Sequence, residues 1–71
     1  MGQREREGLM LYIAGEDISA GSAVVLSSID GKVYSPGGIV SGEYIGEAAE
    51  NLREGFRVCL NSDSKVYEDD A

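Results

Sequence analysis

The chain has 71 residues, with thirteen acidic and six basic side chains, no histidine and one cysteine, for a net charge of −7. A chain this short makes one domain that buries only about 60% of the surface its unfolded form exposes, and so thin a core gains about 3–5 kcal/mol and usually needs a metal, disulfides or association. A lone Cys59 excludes an intrachain disulfide and the missing histidine removes the common zinc patterns, so association is what remains. The acidity repels phosphate backbones and anionic lipid, and neither nucleic acid nor a membrane is expected as a partner.

Residues 1–8, MGQREREG, read as an extended N-terminal arm ahead of a single β domain over 9–71. The arm is too polar to begin a secretory signal, and no apolar run approaches the roughly 18 residues of a membrane span. Arg4 and Arg6 alternate with Glu5 and Glu7. Such a segment can add a strand to a partner's sheet edge, with the arginines gripping carboxylates; the bland alternative is a frayed terminus. Seven extended residues reach up to about 23 Å, far enough to touch a neighbour.

The rest of the chain favours strands and tight turns, being rich in glycine, Val, Ile, Tyr and Ser. Leu9 to Ala14 (LMLYIA) is an apolar run of strand length, and Ala23 to Ile29 (AVVLSSI) is a second. Asp30-Gly31 then supplies a hairpin turn, and Lys32 to Ser35 the return strand. Ile39-Val40 and Tyr44-Ile45 start further short segments. Phe56 to Leu60 (FRVCL) alternates, with Phe56, Val58 and Leu60 on one face and Arg57 and Cys59 on the other. Lys65 to Tyr67 is the last strand, before an acidic tail. Glu47 to Arg53 (EAAENLR) consists of good helix formers, but so short a helix is marginal alone. An extended connection is predicted there.

A repeat supports that choice. Residues 16–35 align with 50–68 when Ile29 is left without a counterpart, bringing Glu16 onto Glu50, Ile18 onto Leu52, Gly21 onto Gly55, Val24 onto Val58, Leu26 onto Leu60 and Asp30 onto Asp63. The run Lys32-Val33-Tyr34 falls on Lys65-Val66-Tyr67. Each copy is a hairpin with a lead-in turn, and an isolated hairpin is marginal in water. The expected fold is therefore all-β, a small barrel or sandwich of two similar hairpin repeats. Val24, Leu26, Val58 and Leu60 would face one another, Ile18 and Leu52 would plug the two ends, and Tyr34 and Tyr67 would close the rims.

The elements Ile18, Ala20, Gly21 and Val24, then Gly31-Lys32-Val33, then Ile45-Gly46, Ala48, Gly55, Val58 and Leu60, resemble the small capsid decoration (cement) proteins of tailed bacteriophages. The likeness runs from Glu16 to Tyr67. It implies a structural virion protein on the capsid exterior, made in the host cytoplasm, that binds the phage major capsid protein as a homotrimer and stabilises contacts between its subunits. The chain departs from longer members in being close to a bare core, so capsid contacts fall to the arm, the turns or the tail. A competing likeness joins Gly15 to Val25 (GEDISAGSAVV) to the SAF domains, small β ligand-binding modules.

No catalytic residue, cofactor or metal site is predicted. Cys59 has only Arg57 beside it to depress its pKa, and Asp63-Ser64 with Glu68-Asp69-Asp70 lacks EF-hand spacing, so it reads as a solvated acidic end. An enzyme is not expected. The residues proposed to touch a partner are Arg4, Arg6, Tyr12 and Tyr44; Phe56 is a further aromatic candidate, and ordinary core packing is the competing fate of each aromatic.

Overall fold

The computed structural model describes residues 10–38 and 41–69. They form six strands, β1 (Met10–Ile13), β2 (Ala23–Ser27), β3 (Val33–Tyr34), β4 (Gly42–Ala48), β5 (Arg57–Leu60) and β6 (Lys65–Glu68), with one 3₁₀ turn at Pro36–Gly38. The all-β expectation holds. Glu47 to Arg53 is extended, because Ala48 and Leu52 must both reach the core while their backbones bond to distant partners. The arm over 1–8 and the segment Ile39-Val40 lie outside the described residues.

The strands make one sheet in the order β1-β5-β6-β4-β2-β3, antiparallel throughout except for β4 beside β6. This sheet curls into a half-barrel. Its two edge strands touch where Ala14 meets Val33 in a parallel bridge, sealed by the Gly15 N–H donating to the Val33 carbonyl at 2.8 Å.

The halves do not sit side by side as independent hairpins. β1, from the first half, pairs with β5 of the second, and β4, from the second, pairs with β2 of the first. Backbone bonds occur in duplicate accordingly. Gly21 N–H donates to the Ala48 carbonyl and Gly55 N–H to the Ala14 carbonyl, each at 2.8 Å. Asp17 accepts from the Glu54 N–H at 2.8 Å, as Asn51 does from the Ala20 N–H at 2.9 Å. The Glu16 carboxylate takes the Ser35 N–H and that of Glu50 takes the Glu68 N–H, both at 2.9 Å. Every one of these pairs is exchanged by a single twofold relation that shifts the chain by 34 residues, or 33 beyond the extra Ile29.

The core obeys the same relation. Among the described residues, the eight buried apolar ones are four matched pairs: Ala14 with Ala48, Ile18 with Leu52, Val24 with Val58, and Val33 with Val66. Backbone conformation matches too, with Gly21 and Gly55 at φ of +88° and +86°. Glycine occupies both because a β-carbon is strained in that left-handed region. The expectation that Ile18 and Leu52 plug opposite ends is corrected here. They meet, each N–H donating to the other's carbonyl at 2.8 and 2.7 Å, because a residue and its own counterpart can bond reciprocally only on the twofold axis.

Within the sheet, β4 breaks the symmetry at Gly46 and Ile45. Gly46 is the counterpart of Tyr12, and a β-carbon at Gly46 would run into the Ser64 carbonyl. Glycine lets β4 approach β6 closely enough for Glu47 and Ala48 to pair with Lys65 and Val66. Glycine also leaves the core short of a side chain. A register shift opposite Val24 and Val25 skips Ile45, which packs against the core in the second half as Tyr12 does in the first. Leu11, the counterpart of Ile45, stays exposed.

If the axial pair carries the fold, Leu52→Ala should cost about 2–5 kcal/mol and Ile18→Val about 0.5–1.5 kcal/mol in denaturant unfolding, within the usual range for deleted core methyl groups. Losses well below those ranges at both positions would mean the two halves hold together elsewhere.

Candidate functional site

β1 is the strand most at odds with a solvated surface. Met10 is 51% exposed, Leu11 49% and Ile13 37%, on a strand bonded only to β5 along its length. Single exposed apolar side chains are ordinary, whereas here Leu11 and Ile13 lie together on one face of an edge strand, with Met10 exposed on the other. Unpaired main-chain groups at such an edge are also a template for another strand. Among the described residues, no partner takes the outer edge of Met10–Ile13.

That edge stays open for a local reason. In the second half, the parallel seam between β4 and β6 extends over Glu47 and Ala48, and the Glu47 N–H donates to the Ser64 carbonyl at 3.0 Å. In the first half, Tyr12 carries a side chain where Gly46 has none, and the corresponding seam is reduced to the single bridge of Ala14 with Val33. The charges at the two seams differ as well. Glu47 holds the Lys65 ammonium at 3.0 Å, which raises the Lys65 pKa. Ile13 stands where that glutamate would be, so Lys32, the counterpart of Lys65, makes no ion pair among the described residues.

The proposed contact residues divide. Tyr44 is 62% exposed. Tyr12 is half-buried against the core, so its ring serves packing first. Tyr44 and Met10 are counterparts, and β1 and β4 run through matching places in the two halves, so the structure does not gather Tyr12 and Tyr44 into one patch. Arg4 and Arg6 lie outside the described residues. Phe56 is exposed, with the Arg53 guanidinium 4.0 Å above its ring centre. Met10, Leu11, Ile13 and Lys32 escaped the sequence reading. Extending the repeat upstream from Glu16 and Glu50 would have found them, since Ile13 then falls on Glu47 and Tyr12 on Gly46.

Asp30, Asp63, Glu68 and Asp69 have structural work. Asp30 accepts the Lys32 N–H at 2.9 Å and the Tyr34 hydroxyl, and the tyrosine above all lowers its pKa. Asp63 caps the matching turn through the Lys65 N–H at 3.0 Å. Glu68 receives the Arg53 N–H, Nε and Nη2, each at 2.9 Å, and this fork depresses its pKa. Asp69 lies 3.4 Å from Arg57 Nε. No group of three metal-ligating side chains occurs among the described residues. Cys59 is half-buried, its Sγ 3.8 Å from Asn61 Oδ1.

An open groove of about 310 Å³ runs along the twofold axis, lined by Asp17, Ser19, Asn51 and Arg53 around the Ile18–Leu52 pair. Three of those four polar side chains are already engaged in bonds across the halves or to Glu68.

The chain matches no family model, and no curated protein or solved structure is significantly similar to it.

The depressed carboxylates set a pH dependence. Their folded pKa values lie below the ordinary 4.5 of Glu68 and 3.8 of Asp30, so the stability they contribute is complete above those values and is lost as pH falls through the folded ones. Melting temperature should drop on acidification below about pH 4.5, and Arg53→Gln should flatten that drop by freeing Glu68. Identical profiles for the two proteins would show that the fork contributes nothing to stability.

Proposed function

We propose that the protein is a capsid decoration protein of a tailed bacteriophage. In this reading it is a structural subunit without catalysis that binds the outer surface of the icosahedral shell and ties neighbouring major capsid protein subunits together. The observation that carries the reading is the exposed apolar edge strand β1. A half-barrel presenting such a strand is suited to protein docking, because main-chain bonds supply affinity and neighbouring side chains supply selectivity. The bare core is consistent with this role. Eight buried apolar residues leave a domain that gains from being held. Homotrimers at the capsid surface would multiply many weak contacts.

The SAF-like alternative would place a ligand in the axial groove. Its polar side chains are largely satisfied within the protein, which favours the docking role over that one.

Sedimentation with expanded, undecorated capsids assembled from the major capsid protein of the same genome tests the proposal. Saturating co-sedimentation near one copy per capsid subunit is the expected result; protein that stays in the supernatant at every concentration overturns it. Deletion of residues 1–8 should weaken docking while leaving the melting temperature unchanged, and undiminished docking would assign the contact to the half-barrel alone.

A further inference from the structure

The two halves of the molecule serve as controls for each other. A feature that the twofold relation repeats is explained by folding; a feature present in one half only calls for another reason. By that measure the first-half seam stands out. In the second half, glycine at position 46 closes the seam and Glu47 neutralises Lys65. The first half has every backbone requirement for the same arrangement, including the bridge of Ala14 with Val33 and the turn cap from Asp30 to the Lys32 N–H. It nonetheless has Tyr12 and Ile13 in place of Gly46 and Glu47. Among the described residues, these two changes leave the edge of β1 unpaired, expose an isoleucine and leave Lys32 without the glutamate that Lys65 has.

Resting on the decoration reading, we propose that this open seam, formed by Met10, Leu11, Ile13 and Lys32, is where an extended segment of the capsid protein docks, presenting a carboxylate to Lys32. The parallel bridge of Ala14 with Val33 puts Ile13 next to Lys32 in register. A segment laid along β1 therefore meets apolar side chains and a cation together, and its carboxylate takes the role that Glu47 plays for Lys65. Charge selects the occupant. Lys32 is the cation without an ion pair among the described residues, in a chain of net charge −7. A capsid segment that presents a single carboxylate complements this lysine, whereas a second copy seated on β1 would bring its whole −7 to this one contact, so the trimer contacts of the decoration reading fall elsewhere on the domain. β1 can also accept main-chain bonds along its free edge, so the segment needs no helix or fixed fold of its own.

The twofold relation also supplies the test. Ile13→Glu copies the second-half arrangement into the first, giving Lys32 an internal partner and removing the apolar contact, and Lys32→Glu reverses the charge without touching β1. Both should dock to the capsids at least about tenfold more weakly than the parent chain, the scale of a lost central contact. Lys65→Ala, at the matching place in the closed seam, should dock like the parent. All three variants should show melting temperatures near the parent's. Docking of the parent together with undiminished docking of Ile13→Glu and Lys32→Glu would overturn this surface and leave the decoration reading standing. A parent chain that fails to dock at all removes both. Self-association of the parent in sedimentation velocity, abolished by Ile13→Glu, would make the occupant a second copy and overturn the proposal equally.

Discussion

Two backbone hydrogen bonds between Ile18 and Leu52 hold the structure on its axis. Each residue is the other's counterpart, and both are almost fully buried. Neither hairpin has enough apolar surface to form a core alone, since a two-stranded ribbon must bury one face against something else. Exchanging strands solves this. β1 and β4 each complete the sheet of the opposite half, so the eight core residues belong to neither half separately. Reciprocal bonds from Asp17 and Asn51, and from Gly21 and Gly55, flank the axial pair and fix the angle at which the halves meet.

Much of the acidic composition follows from this architecture. A duplicated fold of short strands needs its turns and strand entries capped twice, and carboxylates with free oxygens are efficient acceptors for orphan N–H groups. Glu16, Glu50, Asp17, Asp30 and Asp63 all do this, most of them in matched pairs. Glu68 and Asp69 face Arg53 and Arg57 in the second half only. Exposed ion pairs of this kind contribute little individually, but the Arg53 fork also satisfies a backbone donor and covers Phe56. Among the described residues, most of the acidic side chains hold a backbone N–H or a basic side chain and so are more than a solvated surface.

Symmetry is useful here because it is incomplete. Gly46 permits a close strand approach that Tyr12 forbids, and the bulge at Ile45 supplies the core side chain that glycine lacks. One seam is consequently closed and charge-balanced, while the other is open, apolar and short of an acid. In the decoration reading the open seam is the side on which the protein meets its shell. The domain that a thin core leaves only modestly stable would there gain both burial and main-chain bonds.

The repeat was legible in the sequence from Glu16 onward because glycines at 21 and 55, the valines behind them and the KVY runs recur at fixed spacing, and each recurrence has a local cause in turn geometry or strand alternation. The all-β class and the extended course of Glu47 to Arg53 followed from the same pattern. The inward face predicted for Phe56, Val58 and Leu60 was legible only in part: Val58 is fully inside and Leu60 packs against the core, whereas Phe56 is exposed where the strand begins. Strand exchange was not, because alternation specifies which face of a strand is apolar but not which strand lies beside it. The meeting of Ile18 with Leu52 was hidden for the same reason: two equivalent apolar residues can lie at opposite ends or on a shared axis with identical local sequence, and only the closed hydrogen-bond network decides. The proposed docking surface depended on tertiary structure most of all, since Ile13 and Lys32 become neighbours only when the edges of the sheet are brought together at Ala14 and Val33.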